Sequence, residues 1–135
     1  MADEQLSFLV ADLRTFTAAE TVALALDVQA NLQEDTPRDL GWARANWVMS
    51  VGLPVEDPAV AAKSNPGPAD VSRALTRQQQ SLAEVTSYGS ITQGAIFTTN
   101  NVPYIGRLNA GSSRQAGAAF IQRSAARAMQ KREAV

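Results

Sequence analysis

Glu34, Asp35 and Asp39 crowd one turn of the chain, and two or three carboxylates together can hold a hard cation. Their spacing is not that of a calcium loop, so they read as the solvated end of a helix. Gly106 to Gly111 has the look of a glycine loop. It lacks the G-x-x-x-x-G-K-[ST] order, and Asn109-Ala110-Gly111-Ser112-Ser113 follows a short helical turn instead of a buried strand, so no phosphate cradle is expected. Cysteine and histidine are both absent. Disulfides, thiol nucleophiles, zinc fingers, Ser-His-Asp triads and histidine metal sites are thereby excluded. An enzyme would rest on Asp, Glu, Lys, Ser or Tyr, with no recognisable carboxylate pair. The expectation is a non-enzymatic chain with no cofactor and no metal.

Charge offers more. The net charge of −1 at pH 7 hides an opposition between the two parts of the chain. Residues 1–58 carry ten acids against three bases, a balance of −7, and residues 59–135 carry nine bases against three acids, a balance of +6. Arg107, Arg114, Arg123, Arg127, Lys131 and Arg132 give the C-terminal stretch its sign. Arginines can read phosphates, which makes a DNA-binding accessory protein the alternative function. No aromatic residues interleave with these bases, which disfavours single-strand stacking. An acidic surface meeting a basic one across a subunit boundary is the preferred reading.

The elements that position these residues follow from pattern. The chain has 135 residues, of which 45% are hydrophobic and 19% charged, which suits one folded domain over 1–135. The N-terminus opens on acids and shows no targeting signal, and no run approaches the ~20 apolar residues of a membrane helix. A cytosolic, membrane-free chain is expected. Residues 1–16 read as a short helix or irregular arm. Thr17 to Glu20 matches a capping box, with Phe16 as a hydrophobic staple, so a helix is expected from Thr17 to about Asp35. After a turn at Thr36–Gly41, alternation predicts a strand from Trp42 to Val51, with Trp42 and Trp47 on opposite faces, one of them outermost beside Arg44, or both core if the sheet is covered on its two sides.

Residues 53–69 hold four of the six prolines and read as a long projecting loop. A helix capped by Asp70 follows, with Val71, Ala74, Leu75, Leu82 and Val85 inward and Gln78-Gln79-Gln80 solvated. A second strand is expected at Gly94–Thr99, then a helical turn at 102–108. A last helix from Ala116 to about Arg132 would turn Ala119, Phe120, Ala126 and Met129 inward. The fold class is α+β, a small mixed or antiparallel sheet packed by about three helices, with a long Pro-rich loop.

Two segments carry a resemblance. One is T-P-x-D-x-G-W-A-R-x-N-W over Thr36–Trp47. The other is N-N-x-P-Y-I-x-R-L-N-x-G-S-S-x-Q-A, which starts at Asn100 within the segment Thr99–Phe120. The chain resembles the neck and tail-completion proteins of long-tailed bacteriophages, the minor tail component family that includes tail-terminator-like proteins. That family often shows Thr-Gly where this chain has Leu40-Gly41, and the glycine is kept. The resemblance implies a non-enzymatic virion protein, assembled in the host cytoplasm as a homo-oligomer, with a hexameric ring expected. Such a ring sits at the head–tail junction. It binds the tail tube protein and the head connector or stopper, and leaves a lumen for genomic DNA without sequence-specific binding. Ring contacts join one surface to a different one on the neighbour. Arg38, Trp42, Arg44, Pro58, Lys63, Tyr104, Arg107 and Arg114 are the expected subunit or ring contacts.

Overall fold

A computed structural model describes residues 2–37, 41–56, 65–111 and 117–133, with 2–15 and 133 given by their backbone. The fold is α+β. Helix α1 (Ala2–Asp35) is followed by the short α2 (Trp42–Ala45) and strand β1 (Val48–Val51). Helix α3 (Pro68–Thr86), a 3-10 turn at Ile91–Gln93, strand β2 (Ile96–Thr99), α4 (Ile105–Asn109) and α5 (Phe120–Glu133) complete the order. The two strands pair antiparallel, with Val48 opposite Thr99 and Val51 opposite Ile96.

The first helix does not begin at Thr17. It runs 34 residues unbroken from Ala2. Thr17 therefore lies inside it, where a capping box has no role, and Phe16 is 64% exposed and staples nothing. Helix formers fill residues 18–26, so no breaker separates the two parts and the helix propagates.

The expected strand Trp42–Val51 is shortened. Gly41 adopts φ 73°, a left-handed conformation that suits glycine, and turns the chain into α2. The strand starts only at Val48. Both tryptophans are consequently core. Trp42 packs with Ala45, Ala74 and Val102, flanked by Val71 and Tyr104. Trp47 packs with Leu32 and Phe120, flanked by Val28, Ile105, Leu108 and Ile121.

Helix α3 starts one turn earlier than expected. Gly67 is the N-cap, Pro68 takes the first helical position, and the Asp70 carboxylate accepts the Gly67 N–H at 2.8 Å. Its buried stripe is Ala74, Gln78, Ser81 and Val85, while Leu75 is exposed. This departs from the apolar stripe read in the sequence, and the reason is the surface it covers. In the antiparallel register the Gly52 N–H donates to the Ala95 carbonyl at 2.8 Å, which turns the N–H groups of Met49 and Val51 away from β2. Those N–H groups meet α3. The Met49 N–H donates to Ser81 Oγ at 3.1 Å and the Val51 N–H to Glu84 Oε1 at 3.3 Å. One turn earlier, Gln78 Nε2 donates to the Arg44 carbonyl at 3.0 Å. A helix against a sheet edge needs polar side chains there, because bare backbone groups would otherwise be buried.

Helix α5 runs antiparallel along the C-terminal half of α1. It starts at Phe120, and Ala126 and Met129 lie outward. Phe120, Ser124 and Ala128 form its buried stripe. Among the described residues no helix is long and apolar enough to cross a membrane.

Candidate functional site

The described residues of the two segments that carry the resemblance are brought together. Thr36 closes α1, and its hydroxyl accepts the indole N–H of Trp47 at 2.7 Å. Gln29 Nε2 donates to the Trp47 carbonyl at 2.9 Å. Arg44 reaches back to the C-terminal end of α1, where its Nη2 donates to the carbonyls of Glu34 at 2.8 Å and Thr36 at 3.3 Å. A cation at a helix C-terminus meets the negative end of the helix dipole.

The second segment docks on the first through side-chain amides. Asn100 Nδ2 donates to the Ala43 carbonyl at 2.8 Å, and Asn100 Oδ1 accepts the Val102 N–H at 3.0 Å. Asn101 Nδ2 donates to the Val55 carbonyl at 2.8 Å, which ties down the start of the Pro-rich segment. Asn109 Oδ1 accepts the Ile121 N–H at 2.9 Å and so satisfies a free donor at the start of α5. Gly111 has φ 95°, and a Cβ there would meet Ala118 at 3.3 Å, so the glycine of the second motif closes the link into α5.

Residues expected at contacts fall into different places. Trp42 is 2% exposed, so its side chain is core and offers no surface for a neighbour. Tyr104 is half-buried against the same cluster. Val71, which flanks that cluster, also lines a shallow apolar hollow with Pro66, Gly67 and Pro68. Arg44 is held by α1. Arg107, in the last turn of α4, is exposed. Arg38, Pro58, Lys63 and Arg114 lie outside the described residues, as does Asp39 of the acidic turn. Glu34 and Asp35 are met by Arg127, at 3.8 and 3.1 Å. Among the described residues no group of three or more His, Cys, Asp or Glu is gathered to hold a metal ion.

Along α5 the opposed charges meet within one chain. Arg127 pairs with Glu34 and Asp35, Lys131 with Asp27 at 3.6 Å, and Arg132 with Glu20 at 3.4 Å and Asp27 at 3.2 Å. Antiparallel packing of α5 on α1 brings the two ends of the sequence side by side, which linear charge counting cannot show.

Asn46, a residue of the first motif, has a buried role that the sequence reading did not assign. It is buried, donates from Nδ2 to the Trp42 carbonyl at 2.8 Å, and accepts Arg77 Nη2 on Oδ1 at 3.1 Å. Partial burial pulls the Arg77 guanidinium below its ordinary pKa through desolvation. No family model, curated protein or solved structure matches this chain.

Proposed function

We propose that this protein is a structural component of the neck of a tailed bacteriophage. It forms a homo-oligomeric ring, hexameric by the family expectation, that closes the tail tube end and joins it to the head connector or stopper around a lumen for DNA. The observation that supports this reading is the mutual packing of Thr36–Trp47 and Thr99–Phe120. Two separated segments whose residues carry the resemblance build one unit, and their motif residues have definite work in it: Gly41 turns, Asn100 docks, Asn109 caps and Gly111 closes.

The DNA-binding alternative draws no comparable support. Arg127, Lys131 and Arg132, three of the six bases that would read phosphates, are engaged by acids of α1.

Locating the protein in purified virions by specific antibody labelling tests the proposal. Label at the head–tail junction is the expected result, and label elsewhere or none overturns it. Arg107→Glu is the matching variant. Its exposed position predicts an unchanged fold and reduced joining of heads to tails.

A further inference from the structure

The two edges of the sheet differ. Ser50 with Phe97 and Val48 with Thr99 are its hydrogen-bonded pairs, in step with the bond from Gly52 to Ala95. Met49 and Val51 therefore aim their backbone groups away from β2, and their opposite numbers Thr98 and Ile96 aim theirs away from β1. On the β1 side α3 answers, with Ser81 and Glu84 accepting the Met49 and Val51 N–H groups. Among the described residues nothing answers on the β2 side. No backbone or side-chain atom there pairs with the N–H or C=O of Ile96 or Thr98. Both residues are half-buried, and their outward groups are left to solvent.

Proteins ordinarily blunt such an edge with lysine, proline, a bulge or a covering element. From Val85 to Val102 this chain has no charged residue and no proline, and the paired positions run without a bulge. The end of the sheet is apolar too. Gly52 and Gly94 pack so closely that a Cβ on Gly94 would lie 3.4 Å from the Gly52 Cα. Leu53 follows that contact at 78% exposure, and Ile91, whose carbonyl accepts the Gly94 N–H at 3.2 Å, is 44% exposed. A row of free N–H and C=O groups is recognised by an extended backbone that presents the same alternation. The absence of charge along the edge, with Leu53 and Ile91 at its end, selects an uncharged one.

Two sources of that backbone are distinguishable by symmetry. Both sides of β1 are taken, so among the described strands a second copy has only its own β2 to offer. The same edge meeting itself is a two-fold contact, whereas a ring joins one surface to a different one. In a ring the donor is therefore a different polypeptide.

We propose that the free edge of β2 is a strand-addition site, and that its occupant is an extended, uncharged segment of a different protein adjacent to the ring, paired with Ile96 and Thr98. This deepens the neck reading and rests on it for the source of the strand.

Proline tests the edge, because it removes an N–H and is tolerated in a strand where that N–H faces outward. Thr98→Pro should keep the circular dichroism of the wild type, whereas Phe97→Pro, which breaks the ladder to Ser50, should unfold the chain. Unfolding of both would give the outward N–H a partner inside the chain and overturn the proposal. The probe for binding is the capped peptide acetyl-Thr-Val-Thr-Val-Thr-amide. Added to the isotope-labelled full chain, it should shift the amide resonances of Ile96 and Thr98 saturably, and its affinity for Thr98→Pro should fall by roughly tenfold or more. No shift at these amides, or equal affinity for the variant, overturns the proposal. Light scattering after size exclusion separates the sources. Wild type and Thr98→Pro should have the same mass, and a wild-type oligomer that dissociates on this substitution makes a second copy the occupant and overturns the assignment. In particles Thr98→Pro should lower the joining of heads to tails, and unchanged joining overturns it. A peptide-binding edge in a protein absent from the head–tail junction keeps the strand-addition site and defeats the neck reading. Label at the junction with no shift at Ile96 and Thr98 does the reverse.

Discussion

The indole of Trp47 is held by a hydroxyl that lies in the core. Thr36 is 1% exposed and Trp47 4%, so neither group has water as an alternative partner. Replacing Thr36 by Val keeps the volume and removes the acceptor, which leaves the indole N–H buried without a partner. The expected loss is about 1–3 kcal/mol, read from urea unfolding followed by tryptophan fluorescence, and Thr36→Ser should recover most of it. A loss in the Ser variant with none in the Val variant would show that the methyl group matters and the hydrogen bond does not. Asn46 is a second such residue, joining the Trp42 carbonyl to Arg77. Arg77 itself adds no pH slope near neutrality. Its folded pKa is lowered, so the destabilisation is present wherever both states are charged and is relieved only at the alkaline pH where guanidinium titrates. None of these roles is visible in the sequence. A buried amide and an exposed one have the same letter, and only the carbonyl it must satisfy distinguishes them.

At the scale of elements, hydrophobic periodicity located α3, β2 and the C-terminal helix and turned Ala74, Val85 and Phe120 inward, but it misplaced Leu75, Gln78, Ala126 and Met129. The inward stripe of α3 was the clearest case. Periodicity assumes that a helix covers an apolar surface, whereas α3 covers the edge of β1 and offers Gln78, Ser81 and Glu84 to its backbone. This arrangement predicts an inverted mutational pattern. Gln78→Leu, which makes the helix more apolar, should destabilise by about 1–2 kcal/mol because the Arg44 carbonyl loses its donor. Leu75→Gln, at a position 41% exposed, should change stability by less than about 0.5 kcal/mol. Thermal unfolding of the two variants side by side checks both signs. The link into α5 makes a second prediction. Gly111→Ala forces a side chain into φ 95° and against Ala118, and should cost about 1 kcal/mol or more. The two motif segments were legible as sequence because their Gly, Asn and Trp residues are constrained one by one. Their convergence was not, since Asn100 and Ala43 are 57 residues apart.

For the whole molecule, the opposed charges of the two parts of the chain become a property of one subunit. Arg127, Lys131 and Arg132 lie along Glu20, Asp27, Glu34 and Asp35, so α1 and α5 neutralise one another along their shared length. Each pair is partly exposed, and a single exposed pair is worth about 0.2–1 kcal/mol. The value of the set lies in orientation: it rewards antiparallel docking of α5 in one register. Arg127→Glu should therefore destabilise by about 1 kcal/mol at low salt, and adding Asp35→Arg should restore most of that. The difference should shrink as salt rises, because these pairs sit within reach of screening. The same neutralisation bears on DNA. Phosphate binding draws on free cations, and its affinity falls steeply with salt in proportion to the contacts made. Here Arg127, Lys131 and Arg132 are already matched by acids, and the net charge is −1. Retardation of duplex DNA by the wild type should be weak and lost at modest salt. Neutralising the partners with Asp27→Asn and Asp35→Asn should strengthen it by freeing Lys131, Arg132 and Arg127. Tight, salt-resistant binding by the wild type would instead mean that cations outside α5 do the reading, and would return the DNA-binding alternative to first place.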